Sequence, residues 1–289
     1  MNELRYYRSE KIQLGHMVKQ TTHPKSADKI VAMIPARYAS SRFPGKILAL
    51  IAGKSLIQRT YENAQRCPLL HEIVVATDDE RIYNHVKGFA GNVVMTSLTC
   101  LNGTDRLAEV LRNNRQFDDA SIVINIQGDE PCLDPSVIQK IIEILQSDPE
   151  AVMSTAVVKL DSLEEALNPS VVKCVIDSRQ NALYFSRALI PAGHGHSAQF
   201  RPNTTYYRHM GIYGFRRDFL LRYAELPSTP LQKAEDLEQL KVLEHGFRIK
   251  TAIVDSFSIG VDLPDDIKKV EQWLCKQNTS LSQVESAHP

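Results

Sequence analysis

The stretch that most constrains this chain is Lys29 to Lys46, KIVAMIPARYASSRFPGK, where an apolar run meets a proline and then a loop carrying Arg37, Arg42 and Lys46. The run Ile30 to Ile34 is too short for a helix and is followed by Pro35, so it reads as a buried central strand. In open α/β sheets ligands bind beyond the carboxyl ends of the strands, where this loop would fall. Arginine offers paired planar donors to phosphate oxygens and lysine a mobile point charge, a mixture that suits a triphosphate. A Walker A loop does not fit. Gly45-Lys46 is followed by Ile47, and Gly53-Lys54-Ser55 has Leu48 where the first glycine belongs. A solvated basic loop is the plain alternative.

Helical and strand patterns then alternate along 289 residues, enough for one large α/β domain or one domain with an insertion. Lys and Arg number 34 against 34 Asp and Glu, so there is no global basic field of the kind that gathers nucleic acid. Five widely spaced cysteines without a CxxC pair argue against a disulfide framework or a structural zinc, and suit a reducing cytoplasm. No apolar stretch approaches the roughly 20 residues that span a bilayer. Residues 1–27 are polar, lack a secretory apolar centre and read as an extension outside the main fold; residues 277–289 read as a tail.

Downstream, Leu56 to Ala64 has helical spacing, Glu72 to Thr77 is a second strand, and Asp78 and Asp79 read as caps of a helix over 79–88. Gly103, Thr104, Asp105 and Arg106 open another helix, where glycine permits close backbone approach and free amides can meet a base or phosphate; a cap explains the segment equally well. Ser121 to Ile126 is a buried strand running into Gln127-Gly128-Asp129-Glu130-Pro131. An acid at that point can hold a nucleotide-bound magnesium, which takes one or two carboxylates beside phosphates and waters, or can merely end the strand. Asp129 is the first candidate ligand.

Beyond residue 150 the chain predicts strands at 152–158, 171–176, 182–187 and 207–215, which could form a separate small sheet used for oligomerisation, with a Gly- and His-containing loop over 191–205 that suggests no metal site. On a strand, His209 and Tyr213 share a face from which they could meet hydroxyls. A single helix is expected over 231–245; Glu235, Glu238 and Gln239 lie on neighbouring positions of it and read, on spacing alone, as a solvated face. Asp265 reads as the cap of the last helix, whereas capping explains Asp262 less well.

Six segments in order, among them IPARYASSRFPGK, GTDR, NIQGDEP, ALYFSR, RHMGIYG and GVDLPDD, resemble the 3-deoxy-manno-octulosonate (Kdo) cytidylyltransferases, the CMP-Kdo synthetases of Gram-negative bacteria. The resemblance covers about Lys29 to Lys276 and implies a nucleotide-diphospho-sugar transferase (Rossmann-like) fold with a mixed central sheet and a β-rich acceptor and dimerisation region near 180–215. It implies CMP transfer from CTP to Kdo for lipopolysaccharide synthesis, with Mg2+ as cofactor and a homodimer as the assembly. Arg37, Ser40, Ser41, Arg42, Lys46, Gly103, Thr104, Arg106, Gln127 and Asp129 would hold the nucleotide. Gln127, Arg187, His209, Tyr213, Glu235, Glu238 and Gln239 would hold Kdo, with Arg187 on the sugar carboxylate. Asp262 matches the second metal acid. Here Asp105 stands at a position where the family also carries glutamate, one carbon longer. A cytidylyltransferase for another acid sugar such as sialic acid, which usually carries SKG in its opening loop, and a non-catalytic nucleotide-binding module are the rivals.

Overall fold

The computed structural model describes residues 29–40, 42–100, 102–192, 204–256 and 258–285. The extension over 1–27, Ser41 and most of the Gly- and His-containing loop lie outside them.

The strands, in chain order, are β1 (Lys29–Ala36), β2 (Leu50–Ile51), β3 (Lys54–Ser55), β4 (Glu72–Thr77), β5 (Val93–Met95), β6 (Ala120–Asn125), β7 (Met153–Leu160), β8 (Lys173–Ile176), β9 (Ala182–Ser186), β10 (Tyr206–Arg216) and β11 (Ile249–Val254). The helices are α1 (Leu56–Ala64), α2 (Glu80–Gly88), α3 (Gly103–Asn113), α4 (Pro135–Ser147), α5 (Leu163–Leu167), α6 (Arg217–Glu225), α7 (Pro230–Glu235), α8 (Gln239–Glu244) and α9 (Asp266–Glu285). The main sheet runs β11-β7-β10-β6-β1-β4-β5, and β8 joins it through β10 and carries β9. β1 is parallel to β4 and β6, while β10 is antiparallel to β6 and β7, so the sheet is mixed.

Both faces of β1 are buried because helices cover both sides: Ile30, Ala32 and Ile34 pack with α1 and α4, and Val31 and Met33 with α3 and α6. That double cover explains why its sequence is continuously apolar rather than alternating. The proline does not end the strand as the sequence suggested. β1 pairs with β6 only as far as Met33, so Pro35 lies beyond the last β6 partner and its missing N–H costs no bond on that side; Pro35 and Ala36 continue opposite Ala76 and Thr77 of β4.

Three other expectations are corrected. The β-rich region is no separate sheet: β10 is eleven residues long and pairs β8 with its first half and β6 with its second, so the region is continuous with the central sheet. The single helix over 231–245 is two, broken at Asp236, which adopts φ 53°. α9 continues past Lys276 to Glu285, through most of the stretch read as a tail.

Candidate active site

The loop leaving β1 turns at Gly45, φ 71°, where a Cβ would come within 3.0 Å of the Tyr38 ring. Glycine therefore lets Lys46 start a tight 3-10 turn and cross the crevice. The Lys46 ammonium donates to Asp129 Oδ2 at 2.6 Å, to the Val261 carbonyl at 3.0 Å and to Asp262 Oδ1 at 3.2 Å. Arg42 Nη2 donates to the same Asp262 oxygen at 3.1 Å. Burial alone would lower the Lys46 pKa, but the two carboxylates outweigh it and hold the ammonium above its ordinary value.

Asp129 reaches this point from the end of β6 through Gly128, where a Cβ would meet the Pro35 carbonyl at 3.1 Å and Ile47 at 3.0 Å. Asp262 arrives from 220 residues beyond Arg42, on a turn whose amides at Asp262 and Leu263 donate to Asp266. Asp266 closes this turn, its carboxylate directed back at those two amides. Beside Asp129, burial pushes the Glu130 carboxyl up to about 7, with the Ser258 hydroxyl acting against the shift.

Around this centre lies a cleft of about 540 Å³. Arg37, Ser40, Arg42, Lys46 and Gly103 line it together with Gln127, Tyr213, Glu238 and Gln239. Glu238 accepts from Thr104 Oγ1 at 2.7 Å; burial raises its pKa and the Thr104 bond opposes the shift. The Tyr213 hydroxyl donates to Gln239 Oε1 at 3.1 Å, which leaves the buried Gln239 Nε2 without a partner among the described residues.

Several sequence candidates do not line the cleft, among them Thr104, which is 2% exposed. Arg106 is 1% exposed and is consumed by Asp78, at 2.6 Å, and by Thr96, so it braces α3 against β4 instead of facing the cleft. This also corrects Asp78: Asp79 alone caps α2, through the Arg81 amide, and Asp78 is the arginine's counter-ion. Arg187 donates to the carbonyls of Glu235, Asp236 and Pro169, and Glu235 accepts from Ser186 Oγ and the Arg187 amide. Those two hold α7 in place and do not line the cleft. His209 bonds Thr155 Oγ1 at 2.9 Å, rests edge-on against Phe185, and lines a smaller neighbouring cavity; burial pushes its pKa to about 3, so the ring is neutral. Asn125 and Gly211, which the sequence did not single out, line the main cleft. A polar residue ending an apolar strand was the signal for Asn125; Gly211 enters through a bulge in β10 between Met210 and Tyr213, for which a glycine inside a strand pattern is the local mark.

The family described as Cytidylyltransferase matches residues 31–251. The 3-deoxy-manno-octulosonate cytidylyltransferase of Protochlamydia amoebophila (strain UWE25) is 57% identical over 259 residues, which is 90% of this chain and 99% of that protein. The chain belongs to the 3-deoxy-manno-octulosonate cytidylyltransferase family. The mitochondrial member from Arabidopsis thaliana is 49% identical over 257 residues, 89% of this chain and 87% of that protein. Among solved structures, CMP:2-keto-3-deoxy-manno-octonic acid synthetase complexed with CTP has a TM-score of 0.79 at 40% identity, covering 86% of this chain and all of that one. The 4-diphosphocytidyl-2C-methyl-D-erythritol synthase of Anaerococcus prevotii DSM 20548, at 14% identity and TM-score 0.54, shares the fold alone. The central mixed sheet between helices is therefore the cytidylyltransferase architecture. Among the described residues no helix is long and apolar enough to cross a membrane.

Proposed function

We propose that this protein transfers CMP from CTP to the anomeric hydroxyl of Kdo, releasing pyrophosphate and supplying CMP-Kdo for lipopolysaccharide synthesis. The observation that carries this reading is the meeting of Lys46 and Asp129 in one cleft with Gln127, Tyr213 and Gln239, Asp262 being bonded to the same Lys46, in a chain spanning nearly all of a named Kdo cytidylyltransferase.

Phosphoryl transfer leaves little covalent chemistry to a protein, so positioning and charge dominate. Arg37, Arg42 and Lys46 hold the triphosphate and offset the charge that builds on pyrophosphate as the anomeric hydroxyl attacks the α-phosphorus in line. Ser40 and the α3 start at Gly103 border the nucleotide, with Thr104 behind it holding Glu238. Gln127, Tyr213, Glu238 and Gln239 orient the acceptor. A buried donor without a partner costs about 1–3 kcal/mol, and a sugar oxygen at Gln239 Nε2 would recover it.

Asp129 and Asp262 fit a magnesium ion. Both offer hard carboxylate oxygens, and the Lys46 ammonium between them marks a place where a cation is stable. Among the described residues no cluster of three or more ligating side chains exists, and two carboxylates completed by phosphates and waters is the usual magnesium complement. The ion would supply polarisation of the α-phosphate and a lowered pKa at the attacking hydroxyl. The five free thiols suit a reducing cytoplasm, and the homodimer rests on the family resemblance.

The test is pyrophosphate release with CTP, magnesium and Kdo, beside wells without sugar or with sialic acid. Release with Kdo alone is expected. Release only with sialic acid overturns the acceptor, and CTP binding with no release in any well overturns the enzyme.

A further inference from the structure

Glu130 follows Asp129 directly but does not line the main cleft. It lines the smaller cavity with Arg208 and His209, and there it accepts a hydrogen bond from Ser258 Oγ. Two more contacts tie the same two segments together. Val261 N donates to Asp129 O at 2.9 Å, and Gly260 lies so close that a Cβ there would stand 3.0 Å from Glu130 Oε1. Asp262, whose side chain is 54% exposed, has little packing of its own. The backbone that runs from Ser258 through Gly260 and Val261 carries it to its place opposite Asp129, where its amide meets Asp266 and its carboxylate meets Lys46 and Arg42.

We propose that Glu130 and Ser258 are positioning residues, a clasp that fixes the segment ending in Asp262 against the segment carrying Asp129. The inference rests on the proposed reading of Asp129 and Asp262 as the metal carboxylates. Groups that orient metal ligands typically contribute 10- to 100-fold in metal affinity, although they never touch the ion. The clasp works through an oxygen acceptor and a shape. Gln at position 130 supplies both, since its amide oxygen can accept from Ser258; Ala supplies neither.

The experiment is calorimetric titration of the full-length chain with CTP, once with Mn2+ and once with EDTA, so that the ratio of affinities isolates the metal without turnover. Ser258→Ala and Glu130→Ala should lose about tenfold of the Mn2+-dependent gain with the EDTA affinity kept, while Glu130→Gln stays within about threefold of the parent. Should Glu130→Ala fail to fold, Ser258→Ala carries the test. An unchanged ratio in Ser258→Ala, beside a lost gain in Asp129→Asn, overturns the clasp alone, and so does equal damage in Glu130→Gln and Glu130→Ala. A gain that survives Asp129→Asn overturns the metal reading, and the clasp with it.

Discussion

Lys46 is the residue on which the two halves of the cleft meet, since its ammonium bridges acids that lie at the ends of two distant segments. Lys46→Met keeps most of the stem and removes the charge. We expect kcat/KM to fall by about 10²- to 10³-fold in the pyrophosphate assay, the scale for losing one preorganised group at a developing charge. In the nucleotide-free protein the same variant should bind Mn2+ more tightly, because the ion no longer displaces an ammonium; unchanged affinity would mean that Lys46 does not occupy the ion's place. Gln239→Leu should raise the KM for Kdo about fivefold to tenfold, one neutral hydrogen bond, and leave the KM for CTP alone. A matching rise in both would move Gln239 to the nucleotide's half. At this scale Lys46, Asp129 and Asp262, which the structure brings into contact, could be picked out because each stands where a strand or an apolar pair opens into a loop. The partners of Arg106 and Arg187, Asp78 and a set of backbone carbonyls, could not be picked out, because an arginine looks the same in sequence whatever it pairs with.

Among elements, the join between α7 and α8 decides which acids face the cleft. The segment LQKAEDLEQLKVLEH has unbroken helical spacing and neither Gly nor Pro, so nothing local announces a break. The break is tertiary: Arg187 takes the carbonyls of Glu235 and Asp236, which a continuous helix would bond to amides four residues on, and Asp236 turns left-handed. Glu235 is thereby left on the Ser186 side while Glu238 and Gln239 enter the cleft. Asp236→Val should cost about 1–2 kcal/mol, the penalty of a branched side chain in that backbone region, whereas Asp236→Gly should not destabilise. If the join positions the acceptor side, thermal denaturation and kinetics will move together for Asp236→Val, with the Kdo KM raised; a lower melting point with unaltered KM would make the break structural only. One helix start, by contrast, was legible: Asp79, expected as a cap of α2, accepts from the Arg81 amide in the turn that follows.

Taken whole, the molecule is organised by β10, whose length lets one strand pair β8 with its first half and β6 with its second while β7 runs along its other edge. The individual strands could be read from their Val, Tyr and Phe content, but which edge each would join depends on pairing between distant segments, and that is why a separate sheet was expected. His209 sits at this junction, buried and neutral, and it links the fold to pH. Its pKa is about 3 when folded against about 6.5 unfolded, so between those values the unfolded chain binds a proton that the folded chain refuses. Stability from this group is therefore complete above about pH 6.5 and is lost as pH falls, at about 1.4 kcal/mol per pH unit. Glu130, held up at about 7, acts oppositely between about 7 and 4.5, because there the folded chain binds the extra proton. The two slopes nearly cancel in the parent protein, so the group must be isolated by difference. His209→Asn, whose amide can still meet Thr155, should be less stable than the parent at pH 7.5, and the gap in denaturant stability should shrink steadily below pH 6.5 as the parent alone loses the His209 contribution. A gap that stays constant from pH 7.5 to pH 4.5 would mean that His209 takes up its proton within the folded sheet, and that the β10 junction is open to water.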